Sequence, residues 1–117
     1  MKRFLICSIA SISMLGAVPV QADEADLRAR SVDECRLFGD MAIVARALVE
    51  RSVDTARQRP VMETIYQPDD ARTNALLDRI LGAARLATDP APVWATSFLQ
   101  QCVQRRGDMN ALLGGGV

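Results

Sequence analysis

Cys35 and Cys102 are the residues of this chain with the most chemistry open to them. Two thiols 67 positions apart can close a disulfide, hold a metal or act as a redox couple. The sequence contains no Cys-x-x-Cys spacing and no histidine, so the metal and redox readings lack the ligands and the geometry they need. An even pair in an exported chain reads as a structural disulfide. On the chain-entropy model, closing so long a loop stabilises the fold by roughly 4 kcal/mol.

The remaining candidates each have a simpler explanation beside the chemical one. Asp69-Asp70 resembles a paired-carboxylate site, but it directly precedes a helical pattern, where acids cap and favour the helix N-terminus. Arg57 and Arg59 flank Pro60, and Arg105 and Arg106 fall in a last helical turn. These four arginines are a candidate partner or anion patch, against the default of a solvated face. Trp94 and Phe98 can line a pocket, yet at i, i+4 beside Leu99 and Val103 they read first as core. There is no nucleophile elbow, no phosphate-binding loop, no dinucleotide fingerprint and no metal-ligand spacing. The expectation is a protein that is not an enzyme and takes no cofactor. A carboxylate-dependent enzyme is the weakest alternative, because nothing in the sequence gathers the acids.

These residues must be positioned by helices, since no stretch shows the two-residue alternation of a strand. Ser31-Val32-Asp33-Glu34 is a capping box that opens a helix running to about Val53. Its apolar half holds Leu37, Phe38, Met41, Ala42, Val44, Ala45, Leu48, Val49 and Val53. Arg36, Asp40, Arg46, Glu50, Arg51 and Asp54 lie opposite, with Ile43 and Ala47 as apolar intruders. Asp54 is the next cap. Pro60 kinks or restarts the following run, leaving a short helix through Tyr66. Gln67-Pro68-Asp69-Asp70 breaks the chain and caps a helix over 71–87, with Leu76, Leu77, Ile80, Leu81, Ala84 and Ala87 on one face. Asp89 as N-cap and Pro90 at N1 start a last helix that carries Cys102 on the face of Trp94. Gly107 is its expected C′ residue. The expected fold is all-α: a small bundle of three long helices plus one short one, closed by Cys35–Cys102. The helical domain covers 23–107, and a flexible tail covers 108–117.

The first 22 residues read as a cleavable signal peptide. Lys2 and Arg3 precede an apolar run from Phe4 to Val18, Pro19 ends it, and Val20-Gln21-Ala22 is a small-residue site with cleavage after Ala22. The run is about 15 residues, whereas a bilayer span needs about 20. Cys7 lies too far ahead of the site to accept a lipid, and no twin-arginine pair is present. Export to the periplasm or full secretion is expected, with no membrane attachment after cleavage. The whole chain has fourteen basic and fourteen acidic residues, so losing Lys2 and Arg3 leaves a formal charge of −2. That balance argues against nucleic acid as a partner. Another protein is the expected partner, and nothing in the sequence marks an oligomeric state.

The layout resembles a loose class of small, mostly uncharacterised exported proteins of Gram-negative bacteria. The resemblance rests on the leader, the early Glu34-Cys35-Arg36-Leu37-Phe38-Gly39-Asp40 and the late Phe98-Leu99-Gln100-Gln101-Cys102. It implies a periplasmic, single-disulfide helical bundle and transfers no site. Two further groups are similar in outline: acid-activated periplasmic chaperones, and periplasmic immunity proteins that neutralise secreted effectors. Cys102-Val103-Gln104 followed by Asp108-Met109-Asn110-Ala111-Leu112 is similar to C-terminal helices of the second group. The functional expectation is an interaction module of inhibitor, immunity or adaptor type. The alternative is an acid- or stress-responsive chaperone, because protonating the carboxylates leaves twelve arginines unopposed.

Overall fold

The computed structural model describes residues 27–113. The leader (1–22) and the last residues of the expected tail (114–117) lie outside the described residues. Within them the chain is all-helical, with no strand: α1 Val32–Glu50, α2 Thr55–Tyr66, α3 Ala71–Leu86, α4 Ala91–Gln104 and a four-residue turn, α5 Asn110–Leu113.

The helix ends show how the sequence divides the chain. At the start of α1 the Glu34 N–H donates to Ser31 Oγ at 3.1 Å. The Glu34 carboxylate accepts from the Arg30 N–H at 2.7 Å, one residue further out than a capping box places it. At its end Ser52 is left-handed (φ 59°). The Ser52 N–H returns to Val49 O and the Val53 N–H to Leu48 O, both at 3.0 Å, a Schellman closure without glycine. The second helix corrects an expectation: it does not restart at Pro60 but runs through it. Proline removes the hydrogen bond to the Ala56 carbonyl. Ala56 is exposed, so solvent satisfies that oxygen. Gln67, also left-handed (φ 47°), ends α2, and the Asp70 carboxylate accepts from the Thr73 N–H at 2.7 Å to open α3.

The last helix begins one residue later than expected. Pro90, not Asp89, is the N-cap, and no side chain of its own segment caps it. Instead the Ala91 N–H donates to Glu50 Oε1 at 3.1 Å, so a carboxylate from the end of α1 does the capping. The same shift occurs at the other end. Arg106 (φ 55°) is the left-handed C′ residue and Gly107 follows it, with Gly107 N–H to Cys102 O at 2.7 Å and Arg106 N–H to Val103 O at 3.1 Å. Gly107 is required for a different reason. It has φ 90°, and a Cβ there would sit 2.0 Å from the Ala29 carbonyl oxygen. The Ala29 N–H also donates to Gly107 O at 3.0 Å. The following residues, expected as a loose tail, pack over their described part: Met109 and Leu113 are buried.

The central helix is α1, which touches α2, α3 and α4, while α2 and α5 lie on α3. This embrace explains where the helical wheel of α1 is wrong. Leu37 is 44% exposed, whereas Arg46 is only 9% exposed. Ile43, one of the two intruders, packs partly buried against the core. Arg46 is buried because its Nε donates to Asp89 O at 2.8 Å and its Nη1 reaches Ala84 O at 3.5 Å. Its charge thus meets the carbonyl end of α3, where a cation is favoured. Phe38, Met41, Met62, Leu76, Leu77, Ile80, Leu81 and Phe98 make the body of the core. Cys35 and Cys102 are bonded, with Cα atoms 5.7 Å apart, and both are buried.

Two stability effects are expected. Replacing Cys35 and Cys102 together with serine lowers the unfolding free energy by up to about 4 kcal/mol in urea titrations. Gly107→Ala lowers it by roughly 1–3 kcal/mol, because the new Cβ meets backbone rather than a movable side chain.

Candidate functional site

The sequence candidates separate once they are placed. Asp70 caps α3, and its carboxyl lies below the usual carboxylate range because of the hydrogen bonds from Thr73. Asp69 is exposed beside it. Phe98 is fully buried, and Trp94 is half-buried against it, edge to face with ring centroids 5.7 Å apart. Among the described residues no group of three His, Cys, Asp or Glu side chains is placed to hold a metal.

The four candidate arginines do not form one patch. Arg57 and Arg59 lie in the first half of α2, next to the end of α1, where Gln58 Nε2 donates to Val53 O at 2.9 Å. Arg105 and Arg106 follow α4, next to the start of α1, as the disulfide shows. About 18 residues of helix, roughly 27 Å, separate the two pairs. Arg59 is also occupied: it donates to Glu63, to Asp78 at 2.8 Å, and to both the backbone and side-chain oxygens of Asn74. It therefore clamps α2 to α3. Arg57, Arg105 and Arg106 are exposed.

A second arginine cluster, not singled out by the sequence, organises the entry to α1. Arg72 of α3 makes a two-pronged bond to Glu34, Nη1 to Oε2 at 3.2 Å and Nη2 to Oε1 at 2.9 Å. It also donates to Arg28 O at 2.8 Å and lies 5.8 Å from the centre of the Phe38 ring. Partial burial alone would raise the Glu34 carboxyl. The hydrogen bonds from Arg72 and from the Arg30 amide, with the two guanidinium charges, outweigh it and hold the group below its ordinary value. Arg28 in turn reaches Arg106 O at 3.2 Å and Asp108 at 3.8 Å. Residues 27–31 thus tie α1, α3 and the end of α4 together. The signal for this was present in the sequence as Glu34, but its partner lies 38 positions away.

The most distinctive surface is the outer side of α4. This helix of 14 residues contains no charged side chain. Its inner side, Ala91, Ala95, Phe98 and Cys102, is buried, while Val93, Thr96, Gln100 and Val103 are exposed at spacings of three and four. They form a single stripe along one side of the helix. A shallow groove of about 400 Å³ runs along it, lined by Pro92, Val93, Thr96, Ser97 and Gln100. A second, of about 260 Å³, lies over the disulfide, with Val32, Val103 and Arg106 among its walls. Neither groove is lined by an Asp or Glu. The Thr96 hydroxyl donates to Pro92 O at 2.9 Å, and the Gln101 amide donates to Ser97 Oγ at 3.0 Å. In the sequence, Gln100, Gln101 and Gln104 lie on the side of this helix away from Trp94 and Cys102 and read as its polar side. The sequence cue to this surface is the complete lack of charge in the helix.

Compared with protein families, curated proteins and solved structures, the chain matches none of them.

The Glu34 carboxylate has a testable pH signature. Its folded value is lowered, so its contribution is complete above the ordinary value of 4.5 and is lost as pH falls through the folded value. Glu34→Gln is expected to cost about 1–3 kcal/mol at neutral pH. The gap between variant and wild type should close as urea titrations are repeated from pH 7 down to pH 3. A gap that does not change with pH would rule out this role.

Proposed function

We propose that this protein is an exported, disulfide-closed helical module that works by protein contact through the outer side of α4. It acts as an inhibitor, immunity or adaptor protein, without a catalytic centre or cofactor. The observation that carries the reading is the uncharged, exposed stripe on α4, with Val93 54% and Val103 43% exposed. A helix face that serves only solvent normally carries charges. One that lacks them and exposes apolar side chains at helical spacing is suited to a protein surface. Export is supported by the leader pattern of residues 1–22, by the buried Cys35–Cys102 bridge, which an oxidising compartment preserves, and by the sequence match to cleavage after Ala22. No helix of the described residues is long and apolar enough to cross a membrane.

The test is affinity capture from a periplasmic extract near neutral pH, with the oxidised protein as bait and with Thr96→Arg as a parallel bait. A stoichiometric partner retained by the wild type and lost from Thr96→Arg is the expected result. Equal recovery by both baits would move the contact away from α4.

A second reading, the acid-responsive chaperone, draws support from three carboxylate–arginine links between separate segments: Glu34–Arg72, Asp78–Arg59 and Asp108–Arg28. Protonating Glu34 weakens the first of them, the link that holds α3 to the entry of α1. On that reading, binding of an apolar-surface dye rises near pH 3 and aggregation of an unfolded client is suppressed there. Silence in both assays removes it.

A further inference from the structure

We propose that the outer side of α4 pairs with the same side of a second copy of this chain, antiparallel, about a two-fold axis that passes close to residue 98. This deepens the reading of α4 as a contact surface and rests on it.

A two-fold contact is self-complementary, so every residue of the patch must tolerate its symmetry mate. Residues close to the axis meet their own copies, so a charge there faces a like charge. The α4 stripe carries none. Antiparallel pairing about residue 98 sets Val93 against Val103 of the other copy and Thr96 against its Gln100. Both valines are half-exposed in the single chain, and pairing covers them. The Thr96 hydroxyl proton is already given to Pro92 O. Its oxygen is left as an acceptor, which matches the amide donor of the opposing Gln100.

The residues that flank α4 choose the direction. Asp89 precedes the helix and is exposed, and the exposed Glu50 side chain caps Ala91. Arg105 and Arg106 follow the helix and are exposed. Antiparallel pairing brings the arginines of each copy beside Asp89 and Glu50 of the other, whereas parallel pairing stacks arginine on arginine. Arg51, next to Glu50, dilutes the acidic end without changing the sign at Asp89. The helix dipoles also oppose favourably only when antiparallel. A stripe about 15 Å long makes a contact at the small end of specific interfaces, so the dimer is reversible and in the micromolar range.

Sedimentation velocity on the oxidised protein, purified as the cell processes it, tests this from about 10 µM to about 1 mM. The expected result is a concentration-dependent monomer–dimer equilibrium. Gln100→Arg should weaken it by about tenfold or more, since it places two like charges at the symmetry centre. Arg105→Glu with Arg106→Glu should weaken it as well, and adding Asp89→Arg to that chain should restore it. Circular dichroism of each variant, all at exposed positions, controls for folding. A monomer across the whole range overturns the proposal. So does a dimer indifferent to Gln100→Arg, or one that the charge exchange fails to rescue. The two readings fail separately. If the protein stays monomeric but Thr96→Arg still loses a captured partner, α4 remains a contact surface and only the second copy is excluded.

Discussion

The attachment of α4 to α1 is the constraint on which the rest of the molecule depends. It is fixed at both ends by different chemistry. At one end the Cys35–Cys102 bond joins the first turn of α1 to the last turn of α4. At the other, the Glu50 carboxylate holds the Ala91 amide while Arg46 holds the Asp89 carbonyl. Between them the buried Gly39 packs on α4, where a Cβ would make an ordinary van der Waals contact with Leu99 Cβ at 3.4 Å. Clamped this way, α4 buries its inner side in the core and leaves its outer side exposed. Its outer side is free of structural duties, and its lack of charge is a property of the surface rather than of the core.

The opposite side of α1 is built by polar links of a different kind. Gln58 is buried, donates to Val53 O and accepts from Arg85 Nε at 2.9 Å. Arg59 spans α2 and α3, and Arg72 joins α3 to α1 and to residues 27–31. Every buried side-chain nitrogen and oxygen among the described residues has a partner. Tyr66 adds a peripheral tie, donating to Asp40 Oδ2 at 2.6 Å. Burial, together with that hydrogen bond and the Asp40 charge, raises its hydroxyl well above the ordinary range. Arginine does most of this joining because its planar fork serves backbone carbonyls and carboxylates at once.

Much of the fold was legible in local patterns. The Ser31 and Asp70 caps, the apolar face of α3 and the cysteine pair all follow from spacing within one or two turns, where the physics is local. The failures share one cause, which is distance along the chain. Arg46 looks like a surface residue until Ala84 and Asp89 are placed beside it. Asp89 looks like a cap until Glu50 supplies the carboxylate. Pro60 looks like a break until it is seen that the carbonyl it orphans faces solvent. The arginine patch failed for the same reason, since Arg57 and Arg106 are related only through the length of α1. The surface of α4 was legible as a composition, and what it lacked was an argument that this side of the helix faces outward.

The sequence position of the bridge also bears on how the chain matures. With Cys7 attached there are three cysteines, and three different pairings are open to an oxidant. Cutting after Ala22, as proposed above, leaves Cys35 and Cys102 alone, and only one intramolecular pairing remains. Cys102 lies near the end of α4, so the bond to Cys35 cannot close until α1, α2, α3 and nearly all of α4 have been synthesised. On the export route proposed above, the bond that fixes α4 to α1 closes only in the oxidising compartment. With the leader cut as proposed, a single copy has one pairing to find and no wrong one to reshuffle.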